Sequence, residues 1–178
     1  MTKMQMEDLA KRTFNLLNGV INLNRIGYLE IVREGSFLFD QYLKEIDTFA
    51  CRVEMPDNST VLLFSSDLVM QFLTPIDELL HASYIVHIIA HELSHSNQRI
   101  DYMRYVHDDE YYRYIENCNN IYTYRFINNY IGWLKEKLGI SALCAIWPDS
   151  LLSKKDKLAM VKIEETEYRM NNPICWEL

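Results

Sequence analysis

The sequence predicts an α+β protein that is mainly α-helical, organised as a single domain over residues 1–178. Three observations lead there. Only 5 glycines and 4 prolines punctuate the chain, which favours helices joined by short connections. Apolar residues recur at helical spacing over long stretches. One segment, Phe49 to Met55, alternates with the period of a strand instead. The hydrophobic fraction of 49% is enough to bury a core without staples.

The elements follow in order. Met6, Leu9, Ala10, Phe14 and Leu17 line one face of a first helix over 4–18. A second helix is expected over 37–48. Phe49, Cys51, Val53 and Met55 alternate with Ala50, Arg52 and Glu54, the pattern of a half-buried strand. Pro56-Asp57-Asn58-Ser59 is turn chemistry, and Val61–Phe64 follows as the second strand of a hairpin. Thr74-Pro75-Ile76-Asp77 reads as a helix start, with Thr to cap, Pro at the first position and an acid in the first turn. That helix should run through His95. Its segment Tyr84–Ala90 is almost wholly apolar, the mark of a buried helix. Asp108-Asp109-Glu110 opens another helix that reaches Leu138 and stops at Gly139. A last helix is expected over 150–169.

Charge and composition exclude several functions. The net charge is −7 and the pI near 5.2, with no basic tract. Nucleic-acid binding needs clustered Lys and Arg to neutralise phosphate, so nucleic acid is not an expected partner. The same balance is a poor match to an anionic membrane surface. Glu7, Asp8, Lys11 and Arg12 interrupt the N-terminal segment, and no apolar run is long enough for a span, so a cytoplasmic location is expected. Cys51, Cys118, Cys144 and Cys175 form no C-x-x-C pair and read as free thiols. The 12 tyrosines, most between 102 and 130, read chiefly as packing, with rings buried and hydroxyls wet.

The chemistry lies in His91-Glu92-Leu93-Ser94-His95. Two histidines four apart on a helix sit about 40° apart in azimuth and one turn apart along the axis. Both imidazoles can then reach one metal ion. Glu92 is badly placed to ligate but well placed to reach a water on that metal. Two zinc ligands plus a general base is the logic of H-E-x-x-H: zinc acidifies its water, and the carboxylate takes the proton and returns it to the leaving amine. The bare pattern also arises by chance. Its place on a buried helix, behind an apolar run, makes it specific here.

A catalytic zinc wants a third protein ligand and one open position. His107, Asp108, Asp109, Glu110 and Glu116 are candidates. Glu116 is preferred, because Tyr111, Tyr112, Ile115, Cys118, Asn119 and Tyr122 place it in a helix able to pack against the motif helix. Asn120 lies four residues on and can accept a hydrogen bond from a ligand imidazole. His87, one turn before His91, reads as a core or supporting histidine.

His91-Glu92-x-x-His95 followed by a helical Glu116-x-x-x-Asn120 resembles the glutamate zincins, or gluzincins, over roughly residues 60–130. In that family an Asp commonly stands where this chain has Asn120. The metzincin extension is absent, since Gln98 and Asp101 stand at its positions. The resemblance implies a zincin-like fold, with a small sheet packed on the active-site helix and further helices C-terminal to it. It implies an edge strand, Val61–Phe64, offered to an extended peptide. It also implies a Tyr or His that steadies an oxyanion, with Tyr102, Tyr105, His107 and Tyr168 as candidates. The function expected is that of a zinc metallopeptidase acting on a peptide or protein substrate. One zinc per chain would sit on His91, His95 and Glu116, with Glu92 as general base and acid. The alternatives are a non-catalytic zinc-containing binding module and a metal-dependent hydrolase of a non-peptide amide.

Overall fold

A computed structural model describes residues 1–22, 25–44, 48–98 and 100–146. Seven α-helices and three strands lie within them, in the order α1 (Lys3–Leu17), β1 (Tyr28–Val32), α2 (Phe37–Tyr42), β2 (Ala50–Glu54), β3 (Thr60–Ser65), α3 (Ser66–Leu73), α4 (Glu78–Ser94), α5 (Tyr102–His107), α6 (Asp109–Asn129) and α7 (Ile131–Leu138). A 3₁₀ turn, His95–Asn97, continues α4. The expected helix over 150–169, Tyr168, Cys175 and the Ile174-Cys175-Trp176 tail lie outside the described residues.

Helix α1 begins on a capping box: the Thr2 hydroxyl accepts from Gln5 N, and the Gln5 side chain accepts from Thr2 N. Met6, Leu9, Ala10, Phe14 and Leu17 are buried on one stripe, as their spacing predicts. That stripe packs on α4. The sheet has the order β1-β3-β2, with β1 parallel and β2 antiparallel to β3. Period-2 alternation sorts its side chains into two layers. Leu62, Phe64 and Ala50 join the main core with α1 and α4, while Val61, Leu63 and Val53 join Phe39 and Leu43 of the α2 region in a second cluster.

The β2–β3 hairpin forms as expected, but Val61–Phe64 is not an edge. Strand β1 pairs along its open side, from Tyr28↔Val61 to Val32↔Ser65, so β3 is central and β1 and β2 are the edges. All of Val61–Ser65 is buried, as a central strand requires. Helix α2 is shorter than the expected 37–48, ending at Tyr42. Two helices replace the expected start at Thr74-Pro75. The Thr74 hydroxyl donates to Met70 O and closes α3, and Asp77 caps α4 by accepting from Leu79 N at 3.0 Å. Asp108 caps α6 by accepting from Glu110 N and Tyr111 N. Tyr130 interrupts the expected 108–138 helix with non-helical ψ, and α7 then ends at Gly139 in the left-handed region, φ 69°.

Helix α4 is buried nearly all round, against α1, β2 and α6. None of the described helices is long and apolar enough to cross a membrane. Among the described residues, Cys51, Cys118 and Cys144 form no disulfide.

Phe64, fully buried on the central strand, is expected to be a main support of the fold. Phe64→Ala should cost about 3–5 kcal/mol in urea unfolding. Phe37→Ala, at a residue 78% exposed, should stay within about 0.5 kcal/mol of wild type.

Candidate metal centre

The C-terminal turns of α4 carry His91 and Glu92, and His95 begins the 3₁₀ turn. Their spacing turns both imidazoles to the same side. The Nε2 atoms of His91 and His95 stand 3.0 Å apart, with the rings edge to face. Helix α6 brings Glu116 opposite them. Its Oε2 lies 3.0 Å from His91 Nε2, and its Oε1 lies 3.4 Å from His95 Nε2. A tetrahedral zinc with bonds of 2.0–2.1 Å has edges of roughly 3.3 Å, so three donors on one face of such a polyhedron would show about these separations. A donor atom of Glu92 lies within 4.8 Å of both histidines. His91, Glu92 and His95 thus also form a close group of three side chains able to ligate a metal.

What orients these groups is specific. Asn119, fully buried, grips α4 at the turn that bears the histidines. Its Nδ2 donates to His91 O at 2.8 Å, and its Oδ1 accepts from the Ser94 hydroxyl. This contact sets the register of α6 on α4 and so puts Glu116 against His91. Gln98 orients His95. Gln98 Nε2 donates to Ile115 O at 3.1 Å, so its Oε1 faces the imidazole and accepts from His95 Nδ1 at 2.6 Å. The donor at Nδ1 leaves Nε2 as the ligating atom. Tyr105 of α5 donates its hydroxyl to Glu116 Oε1 at 2.6 Å.

Asn120 makes a different contact from the one expected of it. Its Oδ1 stands 3.3 Å from His87 Nε2, and the buried Nδ1 of His91 has no hydrogen-bond partner. His87 packs one turn from His91, its rings stacked at 6.2 Å, and belongs to the buried support of the site. His107, Asp109 and Glu110 are exposed, and Asp108 is the α6 cap. Of the expected oxyanion donors, Tyr105 reaches the site. Tyr168 and the Tyr102 side chain lie outside the described residues.

The electrostatics suit a cation. Burial opposes charge on His95, but Glu116, Glu92 and the Gln98 hydrogen bond together outweigh it and raise the imidazole pKa to about 9. Burial would raise the Glu116 pKa, yet His95 and His91 hold it well below the usual carboxylate range. Glu92 is pushed up, first by burial and then by Glu116, against the pull of the histidines and Arg52. Burial and then His91 lower His87 to about 3, so it stays neutral. Without metal, a proton on His95 supplies the positive charge that Glu116 demands. Two imidazoles and a carboxylate are a borderline-soft set suited to zinc, and the residues present fit the ion.

Two clefts meet at this point. One, of about 440 Å³, runs towards Phe72, Tyr84, His87 and Asn117. The other, of about 640 Å³, runs along β2 past Arg52 and Glu54 to Tyr42. Glu92, Glu116 and Tyr112 line both.

Sequence reasoning did not single out Asn119 as a positioning group, nor Gln98. A signal for the first was there: Asn117, Asn119 and Asn120 sit mid-helix, where asparagine is unfavourable unless its side chain has work to do. Comparison of the chain with models of known families, with curated proteins and with solved structures finds no match.

Two outcomes are expected. Tyr105→Phe and Gln98→Leu should each weaken zinc binding about 10- to 100-fold with unchanged circular dichroism, because each removes the partner that orients a ligand. Zinc binding near pH 7 should displace about one proton, since His95 is charged below its folded pKa of about 9 and must lose that proton to ligate. Affinity should therefore fall as pH falls from 8 to 6. Titration calorimetry in buffers of different ionisation heat reads the proton count, and a count of zero would show that His95 is neutral in the metal-free protein.

Proposed function

We propose that this protein is a zinc-dependent peptidase whose ion is held by His91, His95 and Glu116, with Glu92 as general base and acid. One observation carries the reading: three ligating atoms converge at 3.0, 3.0 and 3.4 Å where two clefts meet, with Glu92 alongside. Sequence motif and resemblance to gluzincins point the same way.

A zinc ion there supplies a Lewis acid that acidifies water and polarises a carbonyl. The protein's own groups do the rest. Glu92, with its carboxyl pKa raised by burial, takes a proton from the attacking water and passes it to the leaving amine. Gln98 keeps the His95 ring turned so that Nε2 faces the centre. Tyr105 holds Glu116 by donating its one hydroxyl proton to Oε1. The two clefts, one on either side of the centre, give an extended chain a continuous path across it. Strand β2, the sheet edge beside the second cleft, takes the place first expected of Val61–Phe64.

Metal analysis of the purified protein should find about one zinc per chain, lost in His91→Ala and Glu116→Ala and kept in His107→Ala. Glu92→Gln should keep the zinc and lose hydrolysis of a mixed peptide library at least 100-fold. Full activity in Glu92→Gln would overturn the mechanism. Zinc with no hydrolysis in the wild type would make this a non-catalytic zinc module.

A further inference from the structure

The cleft on the His87 side of the centre has two unlike walls. Phe49, Phe72 and Tyr84 form one, with ring centroids 4.7 and 5.4 Å apart in tilted and edge-on contacts, and Ile88 extends it. The facing wall is α6, where Asn117 and Asn120 stand three residues apart on one face. The two asparagines differ in what they are given. The Asn120 carbonyl is taken by His87, whereas the Asn117 amide nitrogen is buried without a partner in a residue 2% exposed. An unpaired buried amide is costly, and such groups persist where a ligand completes them. The two ends of an Asn amide exchange by a half-turn of the same shape, so Asn117 offers a donor or an acceptor to whatever fills the cleft.

We propose that this cleft is the specificity subsite of the peptidase and that it takes a tyrosine side chain next to the scissile bond, the phenol ring on the Phe49–Phe72–Tyr84 wall and its hydroxyl on Asn117. The proposal rests on the peptidase reading for the words scissile bond, but the pocket binds tyrosine whether or not hydrolysis follows. A volume of about 440 Å³ holds one large side chain with its adjoining backbone. The aromatic wall favours a flat ring in offset or edge contact. A phenol hydroxyl both donates and accepts, matching either orientation of the amide, and phenylalanine leaves the amide unpaired as it is now. Discrimination by one such bond is about tenfold.

The test is binding of N-acetyl-L-tyrosine amide and N-acetyl-L-phenylalanine amide to the zinc-loaded protein, followed by ligand-observed NMR, with zinc content measured on the same samples. Tyrosine amide should bind about tenfold tighter. Asn117→Leu and Asn117→Ala should remove that difference and leave the phenylalanine amide within about twofold, while Phe72→Ala should weaken both amides alike. Equal binding of the two amides by the wild type, or a tyrosine preference that survives both Asn117 variants, overturns the proposal. Zinc content reports separately on the metal reading: a protein that binds zinc and cuts peptides without preferring tyrosine loses the subsite and keeps the function, and one that prefers tyrosine without zinc does the reverse.

Discussion

Burial of Glu116 beside two imidazoles is the constraint around which the rest of this structure is arranged. A carboxylate taken out of water costs several kcal/mol unless a positive charge answers it. Here the answer comes from His95, which keeps its proton to about pH 9, with His91 at hydrogen-bond distance on the other carboxylate oxygen. The arrangement is a socket for positive charge. A proton on His95 fills it without metal, and under the proposed function zinc would take that proton's place. Glu92, close by and raised in pKa, adds a second carboxylate whose ionisation depends on what the socket holds.

Such a socket needs a frame that does not yield. Helix α4 supplies it by being buried on nearly every side, between α1, the sheet edge and α6. Two polar contacts then convert a generic helix pair into a specific one. Asn119 reads the His91 carbonyl and Ser94, and Gln98 ties His95 to the Ile115 carbonyl. Both cross from α4 and its 3₁₀ extension to α6, and both act on residues adjoining the site. A helix pair held by apolar contacts alone can slide by a fraction of a turn; one pinned by buried hydrogen bonds pays for each that is broken.

The helical parts were legible where the signal is local. The stripe of Met6, Leu9, Phe14 and Leu17, the acidic cap at Asp108 and the stop at Gly139 each rest on contacts within a few residues, and each stands where it was expected. The turn at Pro56–Ser59 and the hairpin it joins belong with them. Misreadings arose where a distant partner decides. Thr74 looks like an N-cap, yet it closes α3, because Asp77 offers the better-placed carboxylate for Leu79 N. Strand β1 is short and pairs in parallel across more than thirty residues of chain, so nothing near it announces the pairing.

By itself the sequence determined that residues 91–95 carry two imidazoles and a carboxylate on one helix, since 3.6 residues per turn puts positions four apart on one side. It also determined an acidic chain rich in helix. Tertiary structure alone decided that Glu116, and not His107 or Asp108–Glu110, meets the histidines, that Asn120 serves His87, and that β3 is the central strand. The reason is the same in each case. These outcomes depend on how α6 registers on α4 and how β1 docks on β3, and that register is held by buried contacts between residues far apart in the chain, which no local spacing encodes.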